Sequence, residues 1–296
     1  MKTRIEYSGL HFFNRVSGIH ILMNEYSFPD NLVSPAPRTL SLAITNRCNL
    51  NCHYCYAPKN SYSLPAEFIK SIATKFDKLG TLELSIGGGE PFLYPGLVDL
   101  ILWLWGNTGL GINITTNGLL INEKIVSKIA GNVSSIRFSI DGLEPKYSIV
   151  KRNSLSNVVY NIKLLKNIIP FGINIIVNPY AIVDVENIIK LGIEIGAFDV
   201  LLIPEHKNGI FQLNSQDWKN LEGMVTKYLN KIQINITYDA SNYLSTNYLE
   251  TEVKKEFSFI HISADRKIKK HSYDKHGIYI ENIFDIENYL KYFNHN

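Results

Sequence analysis

The sequence predicts an α/β fold built of six strand-then-helix units, on the strength of its periodicity and of the two faces of its strands. Apolar residues alternate over short stretches and recur every three to four residues in the stretches between them, the periods of strands and helices. Alternation of that kind implies βαβ crossovers and a parallel sheet, laid either as an open doubly wound sheet or as a barrel. The strands pair an apolar face with a small or polar one, which suits a curved sheet with helices outside and a ligand-lined lumen within.

Taken in order, residues 39–45 set Leu40, Leu42 and Ile44 on one face and lead into a cysteine loop, followed by a helix over 65–79. A second strand, 82–86, runs into Gly87-Gly88-Gly89-Glu90-Pro91 and a helix over 96–105. Strand 111–116 ends at Asn117-Gly118 and precedes a helix over 121–130. Strand 136–140 sets Ile136, Phe138 and Ile140 against Arg137, Ser139 and Asp141, and a helix spans 156–169. Strand 172–178, helix 184–195, strand 199–203 and helix 215–229 complete the series. In such sheets the chemistry sits at the carboxyl ends of the strands. The cysteine loop, the glycine turn, Asn117-Gly118 and Ser139/Asp141 all fall there.

The flanks read differently. Residues 1–37 alternate around His11-Phe12-Phe13 and predict a small N-terminal β extension; residues 38–231 form the six-unit body. Residues 232–296 predict a C-terminal α+β cap with strands at 233–238, 257–263 and 278–280, a basic stretch from Arg266 to Lys270, and a helix over 285–293.

Composition excludes several classes. Of 296 residues 45% are apolar, too many for a disordered chain. Thirty Lys plus Arg against 27 Asp plus Glu leave +3, which gives no nucleic-acid signal. The longest apolar run, Leu97 to Trp105, is interrupted by Asp99 and falls short of the roughly 20 residues a bilayer crossing needs. No apolar signal-peptide core follows Met1, so a soluble, cytoplasmic protein without a membrane partner is expected.

All three cysteines lie in Cys48-Asn49-Leu50-Asn51-Cys52-His53-Tyr54-Cys55. A disulfide framework needs pairs spread through a small fold, so a metal site remains. Zinc in a structural site takes four ligands, and His53 or His20 would complete such a set, although His53 would be strained between Cys52 and Cys55. An iron–sulfur cube held by three thiolates would leave one iron open to a ligand, as a reactive site requires. The spacing favours the cluster and leaves zinc open.

Cys48-x₃-Cys52-x₂-Cys55 with Tyr54 at the end of a first strand resembles the radical S-adenosylmethionine (SAM) enzymes. Gly88-Gly89-Glu90-Pro91 after the second strand is similar to their GGEP segment, and Thr116-Asn117-Gly118 and Ser139-Ile140-Asp141-Gly142 to their next two signatures. The resemblance implies a partial (βα)₆ TIM-like barrel. It implies a [4Fe–4S] cluster on Cys48, Cys52 and Cys55, with SAM chelating the open iron and being cleaved reductively to a 5′-deoxyadenosyl radical. It also implies SAM contacts from Tyr54, Gly88, Gly89, Glu90, Pro91, Thr116, Asn117, Ser139, Asp141 and Asn178, and an arginine near the SAM carboxylate, here Arg152 beside Lys151. An electron donor such as flavodoxin or ferredoxin is the implied partner.

The branch resembled includes molybdenum-cofactor, quinone-cofactor and peptide-maturing enzymes. Residues 259–268 resemble the start of an auxiliary-cluster extension, but His271 stands where a cysteine is expected and no cysteine remains for a second cluster; His261 and His271 are weighed as alternative ligands. Glu205 and His206, after the sixth strand, are expected to face the mouth. The leading expectation is hydrogen abstraction from a peptide substrate, for example to form a crosslink. The alternatives are the same chemistry on a small metabolite or nucleotide, and a non-catalytic zinc-stabilised binding module.

Overall fold

The computed structural model of the chain describes residues 1–207, 210–244 and 258–295. An N-terminal antiparallel sheet orders β1 (Lys2–Glu6), β2 (Gly9–Asn14) and β3 (Ile19–Met23) side by side. Six parallel strands follow: β4 (Thr39–Thr45), β5 (Glu83–Gly88), β6 (Gly111–Thr116), β7 (Ser135–Ser139), β8 (Phe171–Val177) and β9 (Asp199–Pro204). Between them run α1 (Ala66–Lys78), α2 (Leu97–Asn107), α3 (Glu123–Ile129), α4 (Lys146–Lys151), α5 (Leu155–Lys163) and α6 (Val185–Ile195). A short hairpin of β10 (His206–Lys207) and β11 (Ile210–Phe211) precedes α7 (Ser215–Thr226). Each strand of the six pairs with the next in sequence, so right-handed crossovers place every helix on the same face. The sheet therefore curves with its helices outside, as a partial barrel does.

The two faces explain the alternation. Leu40, Leu42, Ile86, Ile114, Ile136 and Ile173 are fully buried beneath the helices. The opposite face carries a polar ladder: Asn113 donates to Glu83 at 2.8 Å and accepts from Ser135 at 2.7 Å, and Arg137 pairs with Asp199 at 2.9 Å and donates to Asn174. Buried polar groups persist because they are paired, and a lone one would be costly.

The expected cap takes part in the sheet itself. Segment β12 (Gln233–Ile236) pairs in parallel with β9, and β13 (Phe259–Ile262) pairs in parallel with β4. Beyond β13 lie β14 (Lys267–Lys269) and β15 (Ile278–Tyr279), both antiparallel, and helix α8 (Ile286–His295). Eight parallel strands thus replace the six read from the sequence, and no break in the sheet marks residue 231. Period-2 alternation looks the same whichever edge a strand joins. Residue 257 of the expected strand 257–263 lies outside the described residues. Helix α5 stops at Lys163, short of the expected 169, and tight turns carry the chain to Pro170.

The N-terminal sheet covers the amino ends of β5 and β6. Phe13 packs at Gly111, and His20 reaches Glu83 at 3.6 Å. Its buried Glu6 is gripped by Arg4, His11 and Arg38. Burial alone would raise this carboxyl, but His11 and the two guanidiniums hold it down at about 2. His261, beneath the mouth on β13, is pushed down to about 3 by burial and by Lys269, and its ring bonds Ser41 at 3.0 Å. Both groups bind fewer protons folded than unfolded, so both favour the fold at higher pH. The His261 contribution is complete above pH ~6.5 and declines as pH falls, and that of Glu6 declines from about 4.5 toward 2. Glu6 alone accounts for about 3 kcal/mol. Urea midpoints at pH 7, 5 and 4 are expected to fall in that order; equal midpoints would contradict this.

Candidate functional site

The carboxyl ends of the strands form one mouth, and backbone hydrogen bonds join its first two loops. The N–H of Gly89 donates to the Thr45 carbonyl at 2.7 Å, and that of Glu90 to the Arg47 carbonyl at 2.8 Å. Gly88 has φ +124°, where side chains are disfavoured, and a Cβ there would overlap the Thr45 carbonyl oxygen. A Cβ on Gly89 would overlap the Arg47 carbonyl. The glycines therefore let the turn after β5 lie directly on the chain entering the cysteine loop. Gly89→Ala is expected to push residues 45–47 away and lower the iron retained after anaerobic reconstitution at least several-fold; unchanged iron would contradict this.

Glu90 ties a third loop to these two. Its buried carboxylate accepts from Thr116 Oγ1 at 2.7 Å, the Asn117 N–H at 2.9 Å and the Phe92 N–H at 3.1 Å. Burial raises its pKa despite those donors. Pro91 is buried at the start of the turn that Glu90 caps. Asn117 Nδ2 donates to Asn49 Oδ1 at 2.8 Å, so the β6 loop also holds the cysteine loop.

The fourth loop reaches the same place. Asp141 accepts from Tyr54 Oη at 2.7 Å and from the Ile176 N–H at 2.8 Å, and its Oδ2 lies 2.6 Å from Lys151 Nζ. Tyr54 is pushed far up by burial, by Asp141 and by Cys52, and so stays a hydroxyl donor. Lys151 is 5% exposed; burial would depress its pKa, but Asp141 and Cys52 outweigh that and keep it cationic. Arg152 is exposed at the left-handed end of α4, so Lys151, one residue earlier, is the cation that faces the site. Tyr147, one turn before it on α4, is buried near Lys151, Asp141 and Cys52, with a hydroxyl that has no partner among the described residues.

The remaining expected residues divide. Ser139 ends β7 half-buried, and its side chain makes no hydrogen bond among the described residues, so its hydroxyl is available. Asn178 is occupied: its Oδ1 accepts from the N–H groups of Tyr180 and Ala181, and its Nδ2 donates to Glu205 at 2.8 Å. His206 packs edge-on against Phe211 and at a tilt against Tyr273, 3.9 Å from Asp239. Tyr273 Oη donates to Asp239 Oδ2 at 2.7 Å, so the loop between β14 and β15 meets the turn after β12. The two edges of the open sheet touch there, on the side of the mouth built by β9 and β12.

The donor set was tested for the cluster that the sequence implies. Cys48 and Cys52 are half-buried, Cys55 is exposed and all three are free thiols. Leu50 N–H points at Cys48 Sγ at 3.4 Å. Burial raises the Cys48 thiol, with Glu90 and Cys55 adding to it, so its thiolate needs a cationic partner, which iron supplies. Among the described residues no three His, Cys, Asp or Glu side chains converge as ligands of a single ion. Three free thiols on one loop are the donor set of a cube with one iron corner left open. Sequence reasoning missed Asn49, Tyr147 and the Tyr273–Asp239 contact. The four-residue spacing of Tyr147 and Lys151 was the available signal for that pair.

The sequence signature of the Radical SAM superfamily matches residues 42–192. An uncharacterised protein of Methanocaldococcus jannaschii is 31% identical over 64% of this chain and 71% of its own length. The GTP 3′,8-cyclase of Peptoclostridium acidaminophilum is 35% identical over 42% of this chain, which spans only 41% of that enzyme. Streptococcus suis SuiB bound to its precursor peptide SuiA shares the fold at a TM-score of 0.74 and 16% identity, covering 97% of this chain and 86% of SuiB. No described helix is long and apolar enough to cross a membrane.

Proposed function

Because the chain belongs to the radical SAM superfamily, we propose that it abstracts hydrogen from a peptide substrate, for example to form a crosslink. It is a radical SAM enzyme; the [4Fe–4S] cluster and SAM it binds supply, once the cluster is reduced, a 5′-deoxyadenosyl radical. Cys48, Cys52 and Cys55 would hold three irons. The Gly88-Gly89 backbone, the free Ser139 hydroxyl and Lys151 would bind and orient the methionine and ribose parts of SAM. Glu90, Thr116, Asn117 and Asp141 keep the four loops in register and hold Tyr54 over the cysteine loop.

One observation carries the peptide reading: the side of the mouth built by β9 and β12 presents Glu205 and Asp239 with the rings of His206 and Tyr273, and its Lys207 ammonium already pairs with Glu205. Carboxylates and aromatic rings suit amide and amine groups and repel a triphosphate. The likeness to a peptide-bound enzyme supports the same reading. The second reading, a nucleotide, is favoured by the GTP 3′,8-cyclase relatives. With a low-potential donor of the flavodoxin or ferredoxin class, 5′-deoxyadenosine formation is to be compared with short linear peptides encoded beside this gene and with GTP. Stimulation by peptide is expected. Stimulation by GTP alone would overturn it.

A further inference from the structure

Lys151 and Asp141 form a buried ion pair directly behind one corner of the cysteine loop. The lysine Nζ lies 2.6 Å from Asp141 Oδ2 and 5.7 Å from the centre of the Tyr54 ring, the residue between Cys52 and Cys55. Asp141 is saturated: one oxygen takes the Ile176 N–H, and the other takes Tyr54 Oη and Lys151. The ammonium has three N–H groups and, among the described residues, one carboxylate partner, which leaves donors for a further acceptor. Tyr147, on the same helix as Lys151, presents a buried hydroxyl with no partner among the described residues. Tyr54 lies between Cys52 and Cys55, so the ammonium beside its ring stands at that end of the loop, whereas Cys48, at the other end, has the Leu50 N–H beside it.

The three thiolate corners are therefore unequal. Reduction of the bound cluster would add one electron, taken from an external donor of the flavodoxin or ferredoxin class. Net charge and hydrogen bonds at the sulfurs set the potential of that step. We propose that Lys151, held by Asp141, raises the reduction potential of the cluster by stabilising negative charge at the Cys52–Cys55 end of the loop, with the Tyr147 hydroxyl as a weaker second donor. This rests on the cluster assignment made above. Asp141 does two things: it keeps the ammonium in place, and it offsets part of the ammonium's field.

The two members of the pair therefore carry opposite signs. Lys151→Met removes the cation and is expected to lower the midpoint of the cluster. Asp141→Asn leaves the cation without its counter-charge and is expected to raise it. Lys151→Arg should restore the native value, and Tyr147→Phe should lower it by less than Lys151→Met. The measurement is an anaerobic potentiometric titration of reconstituted protein with dithionite, followed by the electron paramagnetic resonance signal of the reduced cluster, with iron and sulfide counted in each sample. A merely structural role would change iron content or line shape without opposite shifts. Equal midpoints in all variants at equal iron content would overturn the proposal and leave the cluster assignment standing. Failure of the unaltered chain to bind iron and sulfide would overturn both. Should Lys151→Met fail to load, the sign of the Asp141→Asn shift decides: a downward shift refutes the proposal.

Discussion

Cys52→Ala is expected to lose the cluster and 5′-deoxyadenosine formation together. Two thiolates cannot hold a cube whose third iron then lacks any protein ligand, and metal affinity depends on each deprotonated donor. Iron and acid-labile sulfide after anaerobic reconstitution should fall by about tenfold or more relative to the unaltered chain. The fold should survive, because Cys52 is half-buried in a surface loop and belongs to no part of the apolar core. Near-ultraviolet circular dichroism of the apo forms is therefore expected to superpose. Retained iron in the variant would remove Cys52 from the ligand set and with it the central assignment of the site.

Glu90→Ala is expected to cost stability as well as the cluster. The carboxylate satisfies Thr116 Oγ1, the Asn117 N–H and the Phe92 N–H in a fully buried setting. Alanine leaves all three without a partner, at roughly 1–3 kcal/mol for each buried donor that water cannot reach. Part of that is recovered by relaxation, so a loss of about 4 kcal/mol, roughly 10 °C in Tm, is the expected size. Glu90→Gln keeps an acceptor and removes the charge. Because burial raises the Glu90 pKa, its ionisation opposes the fold, and that penalty grows as pH rises above the ordinary carboxylate value of about 4.5. The Gln variant should therefore be much milder than the Ala variant at pH 7. Thermal unfolding of the apo proteins, with iron content measured in parallel, checks both. A Tm for Glu90→Ala within about 2 °C of the native chain would show that the three loops are held by other means.

Much of this was legible before the structure. Leu40, Leu42 and Ile44 alternate with small residues, and the same pattern five more times gave the parallel strands and their inward and outward faces, because a strand's side chains alternate whatever lies around it. The cysteine loop, Gly88-Gly89-Glu90-Pro91 and Asp141 could be placed at strand ends from local order alone. Which partner each met could not: Glu90 turned out to join three loops, and Asn178 is absorbed in a turn and in Glu205.

By itself the sequence determined the α/β class, the succession of the six central strands along the chain, the carboxyl-end location of the chemistry and the clustering of three thiols, all consequences of short-range periodicity and spacing. Only the tertiary structure decided that β12 and β13 extend the sheet at both edges, that Lys151 rather than Arg152 turns inward, and that Tyr273 meets Asp239 across the opening. Those outcomes depend on the twist of the sheet and the rotation of one short helix about its axis. Neighbouring residues on a helix point about 100° apart. A one-residue difference therefore moves a charge from solvent to the buried side of the site.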